Sequence, residues 1–122
     1  MLGVIKRDLS DSQVPGLSTD WRMTIAYNAA LQAATIALHV CGFRASRDAH
    51  HYRVIQSLRY TMETDRETIG QLDQFRKKRN ISDYEQSGQV SDGEANEMLE
   101  LAQSLYDLLI EWLRDQHPEF LI

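Results

Sequence analysis

Cysteine, proline and long apolar runs are all scarce in this sequence of 122 residues. Its one cysteine, Cys41, excludes an internal disulfide and indicates a reducing compartment. Gln32 and His39 interrupt the most apolar stretch, which therefore falls short of the roughly 18 residues that a membrane span requires. The first residues, MLGVIKRDLSDSQ, carry their charges after the apolar positions and lack the apolar core of a signal peptide. We therefore expect a soluble cytoplasmic protein that does not bind membranes.

Basic residues are outnumbered by acidic ones, and the net charge is −5. A chain of this sign should repel nucleic acid and anionic lipid as a whole, so binding to either would need a local basic patch. The hydrophobic share of 43% and the charged share of 25% are those of an ordinary globular protein, which excludes wholesale disorder. The length fits one domain over residues 1–122.

Helical periodicity accounts for most of the chain, and no stretch alternates polar and apolar residues long enough for a sheet. The pattern predicts four main helices at about 19–41, 48–62, 65–81 and 92–116, behind a short N-terminal segment over 1–17. Connections between the second and third helices are short, which favours antiparallel neighbours. The predicted fold is all-α, an antiparallel bundle of four to five helices.

Two pairs of residues have the spacing of a capping box: Thr64 with Glu67, and Ser91 with Glu94. The first long helix is rich in alanine, which places it at the centre of the bundle, and Gly42 should end it. Its predicted inner stripe consists of Trp21, Ile25, Ala29, Ala33, Ile36, Ala37 and Val40. The predicted inner stripe of the last helix consists of Met98, Leu101, Ala102, Leu105, Leu108, Leu109, Trp112 and Leu113.

A basic run, RKKRNISDYE, follows the inner stripe of the third main helix. Arg79 lies seven residues after Leu72 and four after Phe75, so its side chain should reach the inner edge of the bundle while Arg76, Lys77 and Lys78 spread outward. A guanidinium at that edge needs hydrogen-bond acceptors, because burying an unpaired charge is costly. One interpretation is structural, with Asp83 pairing with Arg79 across one helical turn.

Two adjacent histidines, His50 and His51, open the second main helix. His51 shares the apolar stripe of Ile55 and Leu58, which favours an inward imidazole held by a hydrogen bond over a metal ligand. Neighbouring side chains on a helix point about 100° apart, so the two rings do not form a metal site. Cys41 is interpreted as a small core residue. We predict no metal and no cofactor.

Together these segments resemble the HEPN domain family (higher eukaryotes and prokaryotes nucleotide-binding). AYNAALQAATIALHVCGFR resembles the family's alanine-rich helix with its Gly–aromatic–Arg turn, and HHYRVIQSL resembles the helix that follows. RNISDYEQSGQVSDGEANEMLELAQSLYDLLIEWL resembles the motif loop and the last helix. The resemblance implies a helical bundle, often a symmetric homodimer. Many relatives are metal-independent ribonucleases, including toxins paired with a small nucleotidyltransferase antitoxin.

The family's ribonuclease signature is an arginine, usually followed by a polar residue, with a histidine four to six residues after the arginine. The match places the arginine at Arg79 and the polar residue at Asn80, but Asp83 and Tyr84 stand where the histidine is expected. Cleavage through the 2′-hydroxyl needs a group that exchanges a proton near neutral pH, and histidine does this best. His50 or His51 could supply that imidazole only from another helix.

The leading hypothesis is a HEPN-like binding module without ribonuclease activity, which binds RNA, a nucleotide or a partner protein. The candidate binding residues are Arg76, Lys78, Arg79, Asn80, Asp83, Tyr84, His50 and His51. Two alternatives stay open: an active, toxin-like endoribonuclease with Arg79, Asn80 and Tyr84 as candidate catalytic residues, and a purely structural or adaptor dimer. The expected partners are a second copy of the chain, RNA or a nucleotide, and a nucleotidyltransferase-type antitoxin.

Overall fold

A computed structural model describes residues 2–44, 51–84 and 90–121, without the side chains of residues 80–84. These ranges contain helices and no strand, which confirms the predicted all-α class. The helices are α1 (Leu2–Asp11), α2 (Thr19–Val40), α3 (His51–Thr61), α4 (Arg66–Tyr84) and α5 (Asp92–Gln116), followed by a short 3-10 turn (Pro118–Leu121).

Observed and predicted helices differ mainly near their ends. Residues 48–50, predicted to open the second main helix, lie outside the described residues. The helix predicted to end near residue 81 continues to Tyr84, so the motif residues that follow Arg79 belong to α4 and not to a loop. The N-terminal segment contains a ten-residue helix, α1, whose Ile5 and Leu9 are buried in the core.

The alanine-rich helix α2 lies at the centre of the bundle, as predicted. Six of its alanines are buried together with Met23, Tyr27 and Ile36. Small side chains allow the neighbouring helix backbones to approach closely. The prediction was wrong for Trp21, which is 61% exposed. Because α2 is apolar on several sides, periodicity alone could not determine which face points inward.

Helix α5 presents a narrower apolar face to the core. Its buried residues are Ala95, Met98, Ala102, Leu105, Leu109 and Leu113. Leu108, predicted to lie in the same stripe, is 48% exposed. Leu101 and Trp112 are half-buried at the edges of this face.

The predicted antiparallel arrangement is confirmed for α3 and α4, because His51 at the start of α3 and Arg79 late in α4 both contact Tyr27. It was wrong for α2 and α5. At one end of the bundle the Thr19 hydroxyl, at the start of α2, donates a hydrogen bond to the carbonyl of Val90, just before α5 (2.8 Å). At the other end, Val40 of α2 and Leu113 of α5 line the same cavity. The two helices therefore run in the same direction. Helix α4 runs opposite to them, from the end of α5 back toward its start, where Lys78 pairs with Glu94.

Helix ends are fixed by local hydrogen bonds. The predicted capping box is confirmed: the Ser91 hydroxyl accepts from the Glu94 backbone N–H (3.1 Å), and the Glu94 carboxylate accepts from the Ser91 N–H (3.1 Å). Gly42 ends α2 with a φ of 90°, a conformation that glycine adopts at low cost. The Thr64–Glu67 prediction was wrong, because the Asp65 carboxylate accepts from the Thr68 backbone N–H (3.2 Å) instead. Its hydrogen bonds with Thr68 lower the pKa of Asp65.

Glu63 has a φ of 53°, in the left-handed region that glycine adopts freely and that glutamate adopts only at an energetic cost. It lies after α3, where the Thr64 N–H turns back to the Leu58 carbonyl (3.0 Å). We expect Glu63→Gly to raise the free energy of unfolding by about 0.5–1 kcal/mol, because relief of the strain outweighs the added freedom of the unfolded chain. Urea titration measures the change. Glu63→Ala, which keeps a Cβ, is the control. An equal increase in the free energy of unfolding of both variants would contradict backbone strain at this position.

Candidate functional site

Arg79 lies at the inner edge of the bundle, as the sequence pattern predicts. Its side chain is half-buried, and its guanidinium carbon is 5.4 Å from the centroid of the Tyr27 ring. A guanidinium over an aromatic face is attracted by the negative charge density of the ring. The contact joins the last third of α4 to the first half of α2.

Tyr27 also contacts the start of α3. Its hydroxyl oxygen is 3.3 Å from Nδ1 of His51, and the two ring centroids are 6.0 Å apart. His51 is therefore an inward, hydrogen-bonded imidazole, as expected from its place in the apolar stripe. Tyr27 joins three helices: it holds a histidine from α3 on its hydroxyl and an arginine from α4 on its ring.

The phenol of Tyr27 is protonated over the physiological pH range. Only 1% of the residue is exposed, and burial raises the pKa of Tyr27 to about 12, because the phenolate would lose its hydration. The positive charges of Arg79 and Arg76 act in the opposite direction, and Asp73 adds to the rise. Tyr27 therefore retains an O–H donor in the site.

Arg76 does not spread outward as predicted. It is half-buried between α3 and α4, with its Nε 2.7 Å from an Asp73 carboxylate oxygen and its guanidinium carbon 5.4 Å from the Tyr52 ring centroid. Lys77 also pairs with Asp73 (3.5 Å), but its side chain is 65% exposed, in agreement with the predicted outward position. Arg76 and Arg79 therefore both lie against tyrosine rings, and they lie one turn apart on α4.

Lys78 was also predicted to point outward, but it connects α4 with α5. Its ammonium group forms an ion pair with Glu94, the same carboxylate that closes the capping box. The hydrogen bond from Lys78 and those from Ser91 lower the pKa of Glu94. Nearby, Arg22 of α2 pairs with Asp92 (3.4 Å) and hydrogen bonds to Asn96. The basic run is thus partly used to fix the start of α5 against α2 and α4.

Four predicted site residues cannot be placed in this geometry. His50 lies outside the described residues, and for Asn80, Asp83 and Tyr84 the description is limited to their helical backbone. The predicted Arg79–Asp83 pair likewise falls outside the described side chains. Of the predicted residues, Arg76, Lys78, Arg79 and His51 are described, and the structure brings Arg79 and His51 to the same tyrosine.

Sequence patterns missed Tyr27 as part of this site. A weak signal was present: AYNAALQAA places a single hydroxyl-bearing aromatic residue in a helical segment rich in alanine. A buried tyrosine usually finds a hydrogen-bond partner, so a polar group from another helix could have been expected opposite it. Which helix supplies that group depends on the packing and not on the local pattern.

The described parts of the chain hold no cluster of three or more His, Cys, Asp or Glu side chains arranged to bind a metal ion. Among the helices given above, none is long and apolar enough to cross a membrane. The guanidinium of Arg79 and the imidazole of His51 both contact the buried phenol of Tyr27, and guanidinium and imidazole groups can donate hydrogen bonds to phosphate oxygens.

Comparisons with protein-family models, with curated proteins and with solved structures each give no match.

Proposed function

We propose that this protein is a HEPN-like helical binding module that holds RNA or a nucleotide at the α4 surface around Arg79, without cleaving it. The surface includes Arg76 and Lys78, and it continues over the α4 residues Asn80, Asp83 and Tyr84 named from the sequence. The acidic character of the whole chain means that a phosphate-bearing ligand has to be attracted locally. The basic run of α4 supplies that attraction.

One observation carries this proposal: Arg79 and His51, from different helices, lie against one buried tyrosine. A guanidinium that serves only solubility would extend into water, whereas this one is packed on a ring and half-buried. Arginine in such a setting is well suited to bind phosphate, because its planar donors match two oxygens at once. Tyr52, which is 47% exposed beside Arg76, provides an aromatic face on which a base can stack.

Arg79→Ala should weaken RNA binding at least about tenfold, because hydrogen bonds to charged groups contribute about 1.5–3 kcal/mol each. The measurement is fluorescence anisotropy with a labelled oligouridylate about 12 nucleotides long, a length within the usual range of single-strand sites. Competition with ATP distinguishes a nucleotide site from a strand-binding groove. Lys77→Ala is the matched control, since Lys77 is a neighbouring cation that lies largely in solvent.

Arg79→Lys distinguishes the contribution of positive charge to RNA affinity from the contribution of the planar guanidinium. If a planar guanidinium packed on Tyr27 binds the phosphate, lysine should restore less than half of the lost affinity. Equal affinities of the wild type, Arg79→Ala and Lys77→Ala for both probes would contradict the proposed function. So would a wild-type affinity that does not fall between about 50 and 200 mM salt, because phosphate binding releases counterions.

A second candidate function, metal-independent endoribonuclease, is favoured by the position of His51 against the same tyrosine as Arg79. An imidazole near a guanidinium could exchange the proton of a 2′-hydroxyl while the guanidinium stabilises the developing charge. Prolonged incubation of the labelled RNA with EDTA tests this candidate. Cleavage that disappears in both Arg79→Ala and His51→Gln would support the ribonuclease. Intact RNA would contradict it and favour the binding module without ribonuclease activity.

We further propose two protein partners. A second copy of the chain would form a homodimer, and a nucleotidyltransferase-type antitoxin would be the partner if the chain acts as a toxin. Light scattering coupled to size exclusion gives the mass in solution, and a mass of one chain, 14.1 kDa, would remove the homodimer from the proposal.

A further inference from the structure

We infer that Tyr27 is a positioning residue that holds His51 and Arg79 as two donors for the same phosphate group. The inference rests on the proposed function, but it concerns a residue that neither the sequence motifs nor the basic run includes. Its geometrical basis is the hydroxyl–Nδ1 distance of 3.3 Å on one side of Tyr27 and the guanidinium–ring distance of 5.4 Å on the other.

The direction of the Tyr27–His51 hydrogen bond follows from burial. A buried O–H group that lacks an acceptor is costly, and among the described side chains the acceptor within reach of this hydroxyl is Nδ1 of His51. The phenol stays protonated because burial raises the pKa of Tyr27 to about 12. Tyr27 therefore donates and Nδ1 accepts, so the neutral imidazole carries its proton on Nε2.

This tautomer has a chemical consequence for the ligand. An imidazole with its proton on Nε2 can donate to a phosphate oxygen from that nitrogen, whereas the other tautomer would direct a lone pair there. Arg79 can donate from its guanidinium, which the Tyr27 ring supports from α2. The ligand class recognised by this pair of donors is a phosphate monoester or diester, the chemistry that RNA and nucleotides share.

Tyr27→Phe is the decisive variant, because it keeps the ring beneath Arg79 and removes only the hydroxyl. Nitrogen NMR of the ligand-free protein at about pH 8, where an ordinary imidazole is neutral, reports the tautomer of each histidine. His51→Gln assigns the His51 signals, and Tyr52→Phe is the control for loss of an exposed hydroxyl. We expect His51 to have its proton on Nε2 in the wild type and in Tyr52→Phe, and to become a mixture of tautomers in Tyr27→Phe.

Affinity for the labelled oligouridylate tests whether His51 and Arg79 donate to the same phosphate group. Tyr27→Phe should weaken binding about threefold in the wild-type background and leave it unchanged in the His51→Gln background, because the hydroxyl acts through His51. An equal loss in the two backgrounds would overturn the role of His51 as the second donor. A lower melting temperature with unchanged tautomer and affinity would make Tyr27 a structural residue only.

The two measurements separate this inference from the proposed function. A wild type that binds neither RNA nor ATP overturns the proposed function together with the shared phosphate. An unchanged His51 tautomer in Tyr27→Phe overturns the positioning role even if the wild type binds RNA tightly.

Discussion

Replacing Leu109 with alanine should lower the free energy of unfolding by about 3 kcal/mol, the largest effect we expect of a single substitution. Leu109 is fully buried on α5, in the face that packs against α2. Alanine would remove one methine and two methyl groups from this interface and leave a cavity, because a helix packed on buried alanines has few flexible side chains that could fill the space. Urea titration followed by circular dichroism gives the change.

The neighbouring residue provides a matched control. Leu108→Ala makes the same chemical change one position along the helix, where the side chain is 48% exposed, and it should cost less than about 1 kcal/mol. If the two variants lost similar stability, the inward face of α5 would differ from the one described. The slope of unfolding against urea should stay constant in both variants, since neither substitution changes how much surface unfolding exposes.

Alkaline pH should destabilise the wild type more than Tyr27→Phe. The pKa of Tyr27 is raised in the folded state from 10.0 to about 12, so the unfolded chain releases this proton at a lower pH than the folded protein does. The contribution to stability is therefore fully present below pH 10 and is lost as the pH rises from 10 toward 12. The difference of about two pH units corresponds to at most about 2.7 kcal/mol, and solvent screening reduces the expected loss to about 1.5–2 kcal/mol.

Comparing variants separates the titration of Tyr27 from that of the lysines, because the wild type and the variants contain the same lysines. The free energy of unfolding, measured from about pH 8 to about pH 12, should fall more steeply in the wild type than in Tyr27→Phe. Tyr52→Phe, which removes an exposed phenol, should follow the wild type. Parallel curves for the wild type and Tyr27→Phe would mean that the phenol of Tyr27 is as well hydrated in the folded state as in the unfolded chain.

Sequence periodicity predicted the helices well where one face differs clearly from the other. In α5, leucines alternate with acidic residues at helical spacing, and the inward face could be located with an error at Leu108. In α2, alanines surround much of the helix, so the pattern could not locate the inward face and misplaced Trp21. The shared direction of α2 and α5 was not predictable from periodicity, whereas the short connection between α3 and α4 correctly predicted their opposite directions.

The sequence predicted the inward position of Arg79 on α4 but not its contact with Tyr27 on α2. Arg79 follows Leu72 and Phe75 on the same helical face, so its inward position is a local property that periodicity can extend by one turn. Tyr27, against which Arg79 packs, belongs to α2, and His51 belongs to α3. Contacts of that kind depend on how three helices pack, which no spacing within a single helix encodes.

The shared direction of α2 and α5 has a consequence for how fast the chain can fold. Contacts between the starts of these helices join residues 70 to 74 positions apart, such as Thr19 with Val90 and Arg22 with Asn96. The central interface cannot form before a long segment of chain has closed, and that closure costs entropy before any burial compensates for it. We therefore expect refolding to be slower than in bundles whose consecutive helices pair directly.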